Sequence, residues 1–464
     1  MISLGCAKNR VNSEQMMFLL RENGFYVTGE IDGADVVVVN TCGFIESAKA
    51  ETIDTILELA EKKDSGEIGA IVVTGCMAER YKDELLKELP EVDAVVGTGR
   101  FDDIVDVVRN VSAKEYAAAE RVAAKPAAES AAGVLPQKPA AKPVLFGDIN
   151  APISETGRII STSPIWAYLK IADGCDNRCA YCCIPAIRGR YRSRPLENIV
   201  AEAKSLASSG YKELILVAQD TTSYGKDLYE KRSLPDLLRA LTDIEGLSWI
   251  RLLYLYPDGF YTNPGEFHNE LIDEIAKNGK IVKYADIPIQ HINDKILRKM
   301  NRRGTGSEIR NLFNKLREQI PNIILRTSLI TGLPGEGDKE FDELCDFLRE
   351  TKIQRAGVFA YSPEEGTPAA LMKRPPTEVA EQRAAIVQEI QAQIMDDFNE
   401  SRIGNVERVI VESAGGLARS YAEAPEVDGY IKINADNARV RNTMTDVKLT
   451  GIKDGEIKAE VINQ

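Results

Sequence analysis

Short runs of β-branched residues alternate with amphipathic stretches over the first hundred residues. The runs at 36–39, 71–73 and 94–96 are typical of buried parallel strands. Between the first two, residues 46–62 repeat apolar side chains at helical spacing. This alternation predicts βαβ units and a small doubly wound parallel sheet, so we expect an α/β domain over residues 1–111.

The longest block, 151–395, repeats the same pattern six times. Strands are predicted at 167–171, 213–218, 249–254, 282–287, 323–330 and 356–360. Helices are predicted at 196–209, 234–244, 267–278, 294–302, 306–319 and 338–351. Six successive βα units predict a partial TIM-like (βα)6 barrel, whose chemistry would lie at the carboxyl ends of its strands.

Two further segments differ from these blocks. Residues 112–150 begin with an alanine- and proline-rich stretch without a core-forming period, which is typical of a solvated linker, helical in its first half. Residues 396–464 carry short alternating runs separated by Gly-Gly and Asp-Gly. They predict a small antiparallel β-barrel similar to an OB fold.

The charge balance bears on the kind of partner. The chain has 58 Lys and Arg against 71 Asp and Glu, a net charge of −13. Its last 64 residues, 401–464, hold nine basic and ten acidic residues. A protein whose main task is to bind nucleic acid needs a broad basic surface, which this acidic composition does not suggest. A small molecule or a basic protein is therefore favoured as partner. We expect a cytoplasmic protein without a membrane partner, because no apolar stretch approaches spanning length and no leader precedes the first domain.

Cys175, Cys179 and Cys182 form a C-x3-C-x2-C run with Tyr181 before the last cysteine. Three thiolates on one loop can bind three irons of a [4Fe–4S] cluster and leave the fourth iron open to a substrate or cosubstrate. The alternative is a structural zinc site, which prefers two cysteine knuckles. The chain has no second knuckle and only two histidines, so iron–sulfur is favoured.

A second set of cysteines is dispersed over the first domain. Cys42 and Cys76 follow predicted strands, Cys6 follows the apolar start of the chain, and each has a glycine beside it. Parallel strands present their carboxyl ends on one edge, so we expect these thiols to hold a second cluster. The alternative is three core cysteines. Cys183 and Cys345 are predicted not to be ligands.

The three-cysteine loop resembles the signature of the radical S-adenosylmethionine (SAM) superfamily, and the domain order resembles the methylthiotransferases. The resemblance implies a radical-SAM barrel and a C-terminal TRAM domain, with two [4Fe–4S] clusters and SAM as cofactors. It also implies SAM contacts from six residues, of which Gln219 and Asp220 end the second barrel strand and three belong to SLITGLPGE at 328–336: Tyr181, Gln219, Asp220, Ser328, Gly332 and Glu336.

Several segments are similar to the branch that modifies the β-carbon of an aspartate in small-subunit ribosomal protein twelve. They are SLGCAKNRVNSE at 3–14, AQDTTSYGKDL at 218–228, WIRLLYLYP at 249–257, GVFAYSPEEGTPAA at 357–370 and APEVDGYI at 424–431. The resemblance implies that protein as substrate, either free or inside the assembling subunit, and an electron donor such as flavodoxin or ferredoxin. The alternative branch modifies an adenosine beside the tRNA anticodon, where GCAKN usually reads GCQMN.

Two features leave alternatives open. The basic run Arg188–Arg194 is either a solvated face or the entrance of the cluster site, where it would meet a carboxylate or phosphate. His291 would contact substrate or satisfy a backbone carbonyl. A rival from another class is an iron–sulfur carrier or RNA-binding assembly factor without turnover.

Overall fold

The computed structural model of the chain describes residues 1–43, 45–123, 142–263, 265–413, 415–433 and 441–462, without the side chains at 83 and 114–123. The chain forms two compact units, Met1–Ser161 with Cys183–Arg190, and Thr162–Cys182 with Tyr191–Gln464. Residues 124–141 of the predicted linker lie outside the described ranges, and the domain boundaries at 111, 150 and 395 stay predictions. Within those ranges, no helix has the length and apolar character needed to cross a lipid bilayer.

The first unit is a parallel sheet of five strands, which neighbour one another in chain order. The strands are β1 (Ile2–Ser3), β2 (Val36–Thr41), β3 (Ala70–Gly75), β4 (Ala94–Val96) and β5 (Val144–Leu145). The helices are α1 (Ala7–Glu22), α2 (Glu46–Asp64), α3 (Cys76–Glu88), α4 (Ile104–Ala123) and α5 (Ile184–Arg188), with a 3₁₀ turn at Thr98–Asp103.

Side chains alternate between the two faces of this sheet. Val37 and Val39 of β2 belong to one buried core, together with Leu59 of α2. Val38, between them, belongs to the opposite core, together with Met16 of α1. A strand with apolar side chains on both faces needs cover on both, so the uninterrupted valine run of β2 explains the doubly wound arrangement that the sequence predicts.

The second unit contains a six-stranded parallel sheet in the order β15-β14-β13-β10-β9-β6. Its strands are β6 (Trp166–Lys170), β9 (Glu213–Val217), β10 (Trp249–Leu252), β13 (Ile281–Asp286), β14 (Ile324–Thr331) and β15 (Arg355–Ala360). Its helices are α6 (Leu196–Ser208), α7 (Leu234–Thr242), α8 (Asn269–Lys277), α9 (Asp294–Lys299), α10 (Gly306–Gln319), α11 (Asp338–Thr351) and α12 (Thr377–Arg402). Short strand pairs are β7 (Ala172–Asp173) with β8 (Arg192–Ser193), and β11 (Tyr261–Asn263) with β12 (Glu266–Phe267).

All six predicted strands and all six predicted helices of this block are present, with ends that differ by at most three residues. The partial (βα)6 barrel is confirmed. The long helix α12, which packs on β15, was not predicted.

The C-terminal residues form a closed five-stranded barrel in the order β16-β17-β18-β20-β19. Its strands are β16 (Val406–Val411), β17 (Leu417–Arg419), β18 (Ile431–Ile433), β19 (Met444–Lys453) and β20 (Glu456–Val461). The predicted small barrel is confirmed with one difference: β18 and β20 pair in parallel, so the barrel is not antiparallel throughout. The two strands are not consecutive in the chain, and β19 lies between them, which allows both to run the same way.

Buried charged groups join this barrel to the six-stranded sheet. Arg419 at the end of β17 and Arg251 of β10 both donate to the carboxylate of Glu213, the first residue of β9, over 2.7 Å each. All three side chains are fully buried. Tyr284 of β13 donates to Asp428 over 2.6 Å. The barrel is therefore held to the sheet by charge-assisted hydrogen bonds rather than by apolar packing alone.

Candidate active site

The three-cysteine loop of the second unit begins at Gly174, directly after β7. Gly174 has φ +79°, in the left-handed region that glycine adopts without steric cost, and its N–H donates to Asp173 over 2.9 Å. Further along, Ala180 donates to the carbonyl of Met300 and accepts from the N–H of Ala369, each over 2.9 Å. The loop is thus held by a hydrogen bond to the Asp173 carboxylate at its start and by two backbone hydrogen bonds directly after Cys179.

The thiols of this loop have distinct surroundings. Burial is the main cause that raises the pKa of Cys175 to about 11, so this thiol keeps its proton until a metal displaces it. Sγ of Cys179 lies 3.8 Å from the hydroxyl of Tyr256 and 3.7 Å from Nη1 of Arg302. Arg302 also donates to the hydroxyl of Tyr181 over 3.0 Å. Burial raises the pKa of Tyr181 well above its usual value, against the charge of Arg302.

The donor set of the loop fits a cluster better than a single ion. Three thiols lie within the eight residues from Cys175 to Cys182, of which Cys179 is buried and the other two are partly exposed. Three thiolates can hold three irons of a [4Fe–4S] cluster, whereas structural zinc takes four ligands. The chemistry of this loop therefore favours the cluster over the zinc alternative.

Gln219 and Asp220 lie beside the three-cysteine loop, after β9. Asp220 is buried and accepts from Asn177 of the loop over 2.8 Å, as well as from Thr222 over 2.6 Å. Gln219 donates to Asp173 over 3.0 Å, whereas its Oε1 is buried without a hydrogen-bond partner. A buried amide oxygen without a partner is costly, and it suits a donor from a bound molecule such as the ammonium group of SAM.

The other three predicted SAM residues, Ser328, Gly332 and Glu336, lie in β14 and in the loop after it. Ser328 lies within β14 and pairs with Gly357 of β15. Gly332 has φ +75°, and a Cβ at this position would lie 2.2 Å from Cβ of Ala380. Glu336 accepts from the Gly332 N–H and from Arg383, over 2.9 Å each. Glu336 thus braces this loop from inside, and a direct contact with SAM stays a prediction for all three.

His291 is buried between β13 and α9. Its Nδ1 accepts from the N–H of Asn293 over 3.0 Å, and its Nε2 lies 3.3 Å from Oε2 of Glu336. Neither Nε2 of His291 nor Oε2 of Glu336 has a hydrogen-bond partner in the described part of the chain, although both are buried. The two roles suggested for His291 therefore stay predictions.

The cysteines of the first unit lie at the ends of neighbouring strands, as predicted. A Cβ on Gly5 would lie 2.8 Å from Cβ of Cys42, and a Cβ on Gly43 would lie 2.8 Å from Cα of Met77, the neighbour of Cys76. The glycines therefore let the cysteine-bearing segments approach one another. Desolvation of the Cys6 thiol opposes its ionisation. The charges of Lys8 and Arg188, together with backbone hydrogen bonds from Asn9 and Lys8, outweigh this effect and lower the pKa of Cys6.

Asn9 connects these segments, and sequence analysis missed it. Its Nδ2 donates to the carbonyls of Leu4 and Thr41, over 3.0 and 2.8 Å, which precede Cys6 and Cys42. Its Oδ1 lies 3.8 Å from Sγ of Cys76 and accepts a short hydrogen bond from Arg188. The sequence signal that could have revealed its role is its place as the last residue of the GCAKN segment, three positions after Cys6.

The basic run Arg188–Arg194 is neither a solvated face nor a single entrance. Arg188 is buried in the first unit, whereas Arg190 is exposed. Arg194, in the second unit, is buried and donates to Glu202 over 2.6 Å. The basic run is divided between the two compact units, because the first unit includes residues up to Arg190 and the second begins again at Tyr191.

Sequence analysis also missed Arg302 and Tyr256, the two side chains beside the sulfur of Cys179.

The remaining cysteines are buried. Cys183 packs with Cys76 and Ile187 in the first unit and accepts from Arg80 over 3.5 Å. Cys345 lies on the buried face of α11, as predicted. That neither is a metal ligand stays a prediction.

Family models match three parts of the chain. The radical SAM superfamily model matches residues 169–348, the TRAM domain model matches 403–462, and the model described as uncharacterized protein family UPF0004 matches 1–97. The first match covers the three-cysteine loop and implies a [4Fe–4S] cluster and SAM as cofactors. The last covers Cys6, Cys42 and Cys76.

The chain is also similar over its full length to curated proteins. It is 46% identical to the ribosomal protein uS12 methylthiotransferase RimO of Acetivibrio thermocellus, over 100% of this chain and 98% of that one. It is 44% identical to the protein of the same name from Lachnoclostridium phytofermentans, over 98% of each. Among solved structures, the radical SAM methyltransferase TsrM of Kitasatospora setae has a TM-score of 0.54 at 15% identity, covering 82% of this chain and 76% of TsrM. That likeness concerns the fold alone.

Proposed function

The chain belongs to the ribosomal protein uS12 methylthiotransferase family, and on this premise we propose that it inserts a methylthio group at the β-carbon of an aspartate of uS12. The observation that carries the proposal is 46% identity over the whole chain to a protein of that name. The chain is an enzyme of the radical SAM type. The relatives reported above carry the name of the uS12 enzyme at 44–46% identity, so the alternative, a tRNA adenosine enzyme, is not favoured.

We assign the first cluster to Cys175, Cys179 and Cys182. When bound, the clusters and SAM supply one-electron chemistry, hydrogen abstraction from an unactivated carbon, the sulfur atom and the methyl group. The chain holds the loop in place through Ala180, and it covers Cys179 with Tyr256 and Arg302. The partnerless Oε1 of Gln219 is placed to accept from the ammonium group of SAM.

A second cluster on Cys6, Cys42 and Cys76 is part of the proposal. Its support is that the three segments meet at one edge of the sheet, where Gly5 and Gly43 permit close approach. The guanidinium of Arg188 faces this edge, with Nε and Nη2 3.4 and 3.3 Å from Sγ of Cys76, and the charges of Lys8 and Arg188 help to lower the pKa of Cys6. Such surroundings favour thiolates, which are the form that binds iron.

Substrate and electron donor follow from the same premise. A net charge of −13 suits a basic ribosomal protein as partner, either free or within the assembling subunit. A small acidic or flavin-containing electron carrier, such as ferredoxin or flavodoxin, would supply the reducing equivalents. We propose that the protein works in the cytoplasm, where this substrate is made.

Mass spectrometry of uS12 from cells with and without this gene tests the proposal. We expect one aspartate to carry the mass of a methylthio group only when the gene is present. An unchanged uS12, together with loss of methylthio groups from bulk tRNA nucleosides, would instead establish the alternative. Clusters without any SAM cleavage under reducing conditions would point to an iron–sulfur carrier.

A further inference from the structure

A buried polar network joins all three cysteine-bearing segments of the first unit. Asn9 is 1% exposed, and its side chain holds the backbone ahead of Cys6 and ahead of Cys42 through the carbonyls of Leu4 and Thr41. Asn40 in turn donates to the carbonyl of Asn9 over 2.8 Å, which fixes the first turn of α1 on β2. One side chain therefore sets the spacing of two cysteine segments.

Arg188 completes the network from a distant part of the sequence. Its Nε and Nη2 lie 3.4 and 3.3 Å from Sγ of Cys76 and are placed to donate to it. Nη1 donates to Asn12 over 2.8 Å, and Nη2 also donates to Asn9. The planar guanidinium thus holds the third cysteine to the residue that positions the other two.

The chemistry of these contacts indicates more than packing. Burying a guanidinium costs free energy unless charged or well-placed acceptors compensate it. Cys76 carries a negative charge once it binds a metal as a thiolate, so the two N–H groups of Arg188 that face its sulfur then meet an anionic acceptor. The contact between Arg188 and Cys76 is therefore most favourable in the metal-bound protein.

We propose that Asn9 and Arg188 are positioning residues of the second cluster, a proposal that rests on the proposed function. Asn9 sets the separation of the three thiols. Arg188 donates N–H···S hydrogen bonds to the Cys76 ligand and raises the reduction potential of the cluster. Hydrogen bonds and positive charge at a ligand sulfur stabilise the reduced, more negative state of an iron–sulfur cluster.

The test uses the full chain with Cys175, Cys179 and Cys182 replaced by alanine, so that bound iron reports the second cluster alone. In this background, Arg188→Met is expected to shift the midpoint potential to a more negative value and to change the electron paramagnetic resonance spectrum. Arg188→Lys, which keeps the charge but not the fork, should give an intermediate potential. Arg190→Met, an exposed basic residue of the same segment, is the matched control and should change neither quantity.

Asn9→Ala is tested in the same background by the iron bound per chain. We expect a clear fall, whereas Asn23→Ala at the exposed end of the same helix should leave the iron content unchanged. Equal iron content in both asparagine variants would overturn the role of Asn9.

The remaining outcomes separate this inference from the function on which it rests. If the background protein binds no [4Fe–4S] cluster, both the second cluster and the inference fall. If the cluster forms but the potential of Arg188→Met equals that of Arg190→Met, only the role of Arg188 is overturned. Should Arg188→Met take up no cluster, the comparison rests on Arg188→Lys, and a potential equal to that of the unsubstituted background overturns the role.

Discussion

Nη2 of Arg419 lies 2.7 Å from Oε2 of Glu213, and both side chains are fully buried although 206 positions separate them in the chain. Burial opposes ionisation of Glu213, but the charges of Arg419 and Arg251 outweigh it and lower the pKa of this carboxyl. The C-terminal barrel is thus anchored to the first residue of β9 by a fully desolvated ion pair.

Arg419→Met is expected to lower the free energy of unfolding by about 3–5 kcal/mol, because it leaves a buried carboxylate with one of its two cationic partners. Denaturant unfolding followed by far-UV circular dichroism measures the effect. Arg408→Met, at an exposed position of β16, is the control and should change stability by less than about 0.5 kcal/mol. Equal stabilities of the two variants would show that the ion pair contributes nothing to folding.

Glu423 makes the protein sensitive to acid. Burial opposes its ionisation, but the charges of Arg402 and Arg355 lower its pKa to about 2, from an ordinary value of 4.5. A depressed pKa stabilises the fold fully above the ordinary value, and this stabilisation, about 3 kcal/mol, is lost as the pH falls from 4.5 towards 2.

Glu423→Gln should therefore lower stability at neutral pH and flatten the loss of stability in that acid window. Unfolding by urea at a series of pH values measures both effects. Glu460→Gln, which removes an exposed carboxylate of the same barrel, serves as control and should leave the acid window as it is. A Glu423→Gln protein with an unchanged acid profile would contradict the assignment.

The two sets of cysteines should fail differently. Alanine at Cys175, Cys179 or Cys182 is expected to abolish reductive SAM cleavage, because the loop then loses a ligand of the cluster that binds SAM. Alanine at Cys6, Cys42 or Cys76 should leave cleavage largely intact and stop sulfur insertion. Quantifying 5′-deoxyadenosine and methylthiolated uS12 in one assay distinguishes the two sets of variants. Equal loss of SAM cleavage in both sets would refute the proposed division of roles between the two clusters.

Gln219→Leu removes the partnerless amide oxygen beside the three-cysteine loop while keeping the volume of the side chain. Loss of one hydrogen bond to a charged group, about 1.5 kcal/mol, should raise the Kd for SAM roughly tenfold. Equilibrium binding of SAM to the reconstituted protein measures it. Gln319→Leu is the matched control, since Gln319 also has a buried, partnerless Oε1 but ends α10. Equal affinities would remove Gln219 from the SAM site.

Local signals explain why much of the fold could be predicted. Helix α10 begins where Thr305 and Glu308 form a capping box, and α11 follows Gly337, whose N–H donates to Glu340. Both helices have the predicted bounds. The missed helix α12 starts after Pro376 and buries residues such as Arg383 and Gln391, so its buried face does not read as an apolar stripe.

The candidate site could be predicted only where its cysteines lie close together in the sequence or follow predicted strands. Cys175, Cys179 and Cys182 are set by spacing, and Cys42 and Cys76 by the strands before them. Arg188 could not be placed, because its partner Asn12 is 176 positions away and an isolated run of arginines gives no sign of burial. Long-range partners decide whether a charge is buried, and a single sequence does not reveal them.

The segment Cys183–Arg190 belongs to the first unit although it follows the three-cysteine loop in the chain. During synthesis, amino-terminal regions generally fold first. Here the first unit lacks this segment until residue 190 has been translated, so the surroundings of Cys76 are completed only after Cys175, Cys179 and Cys182 have been made. The three-cysteine loop is completed later still, because Ala180 bonds to Met300 and Ala369. Metal that is loaded before these stretches are translated would meet unfinished sites.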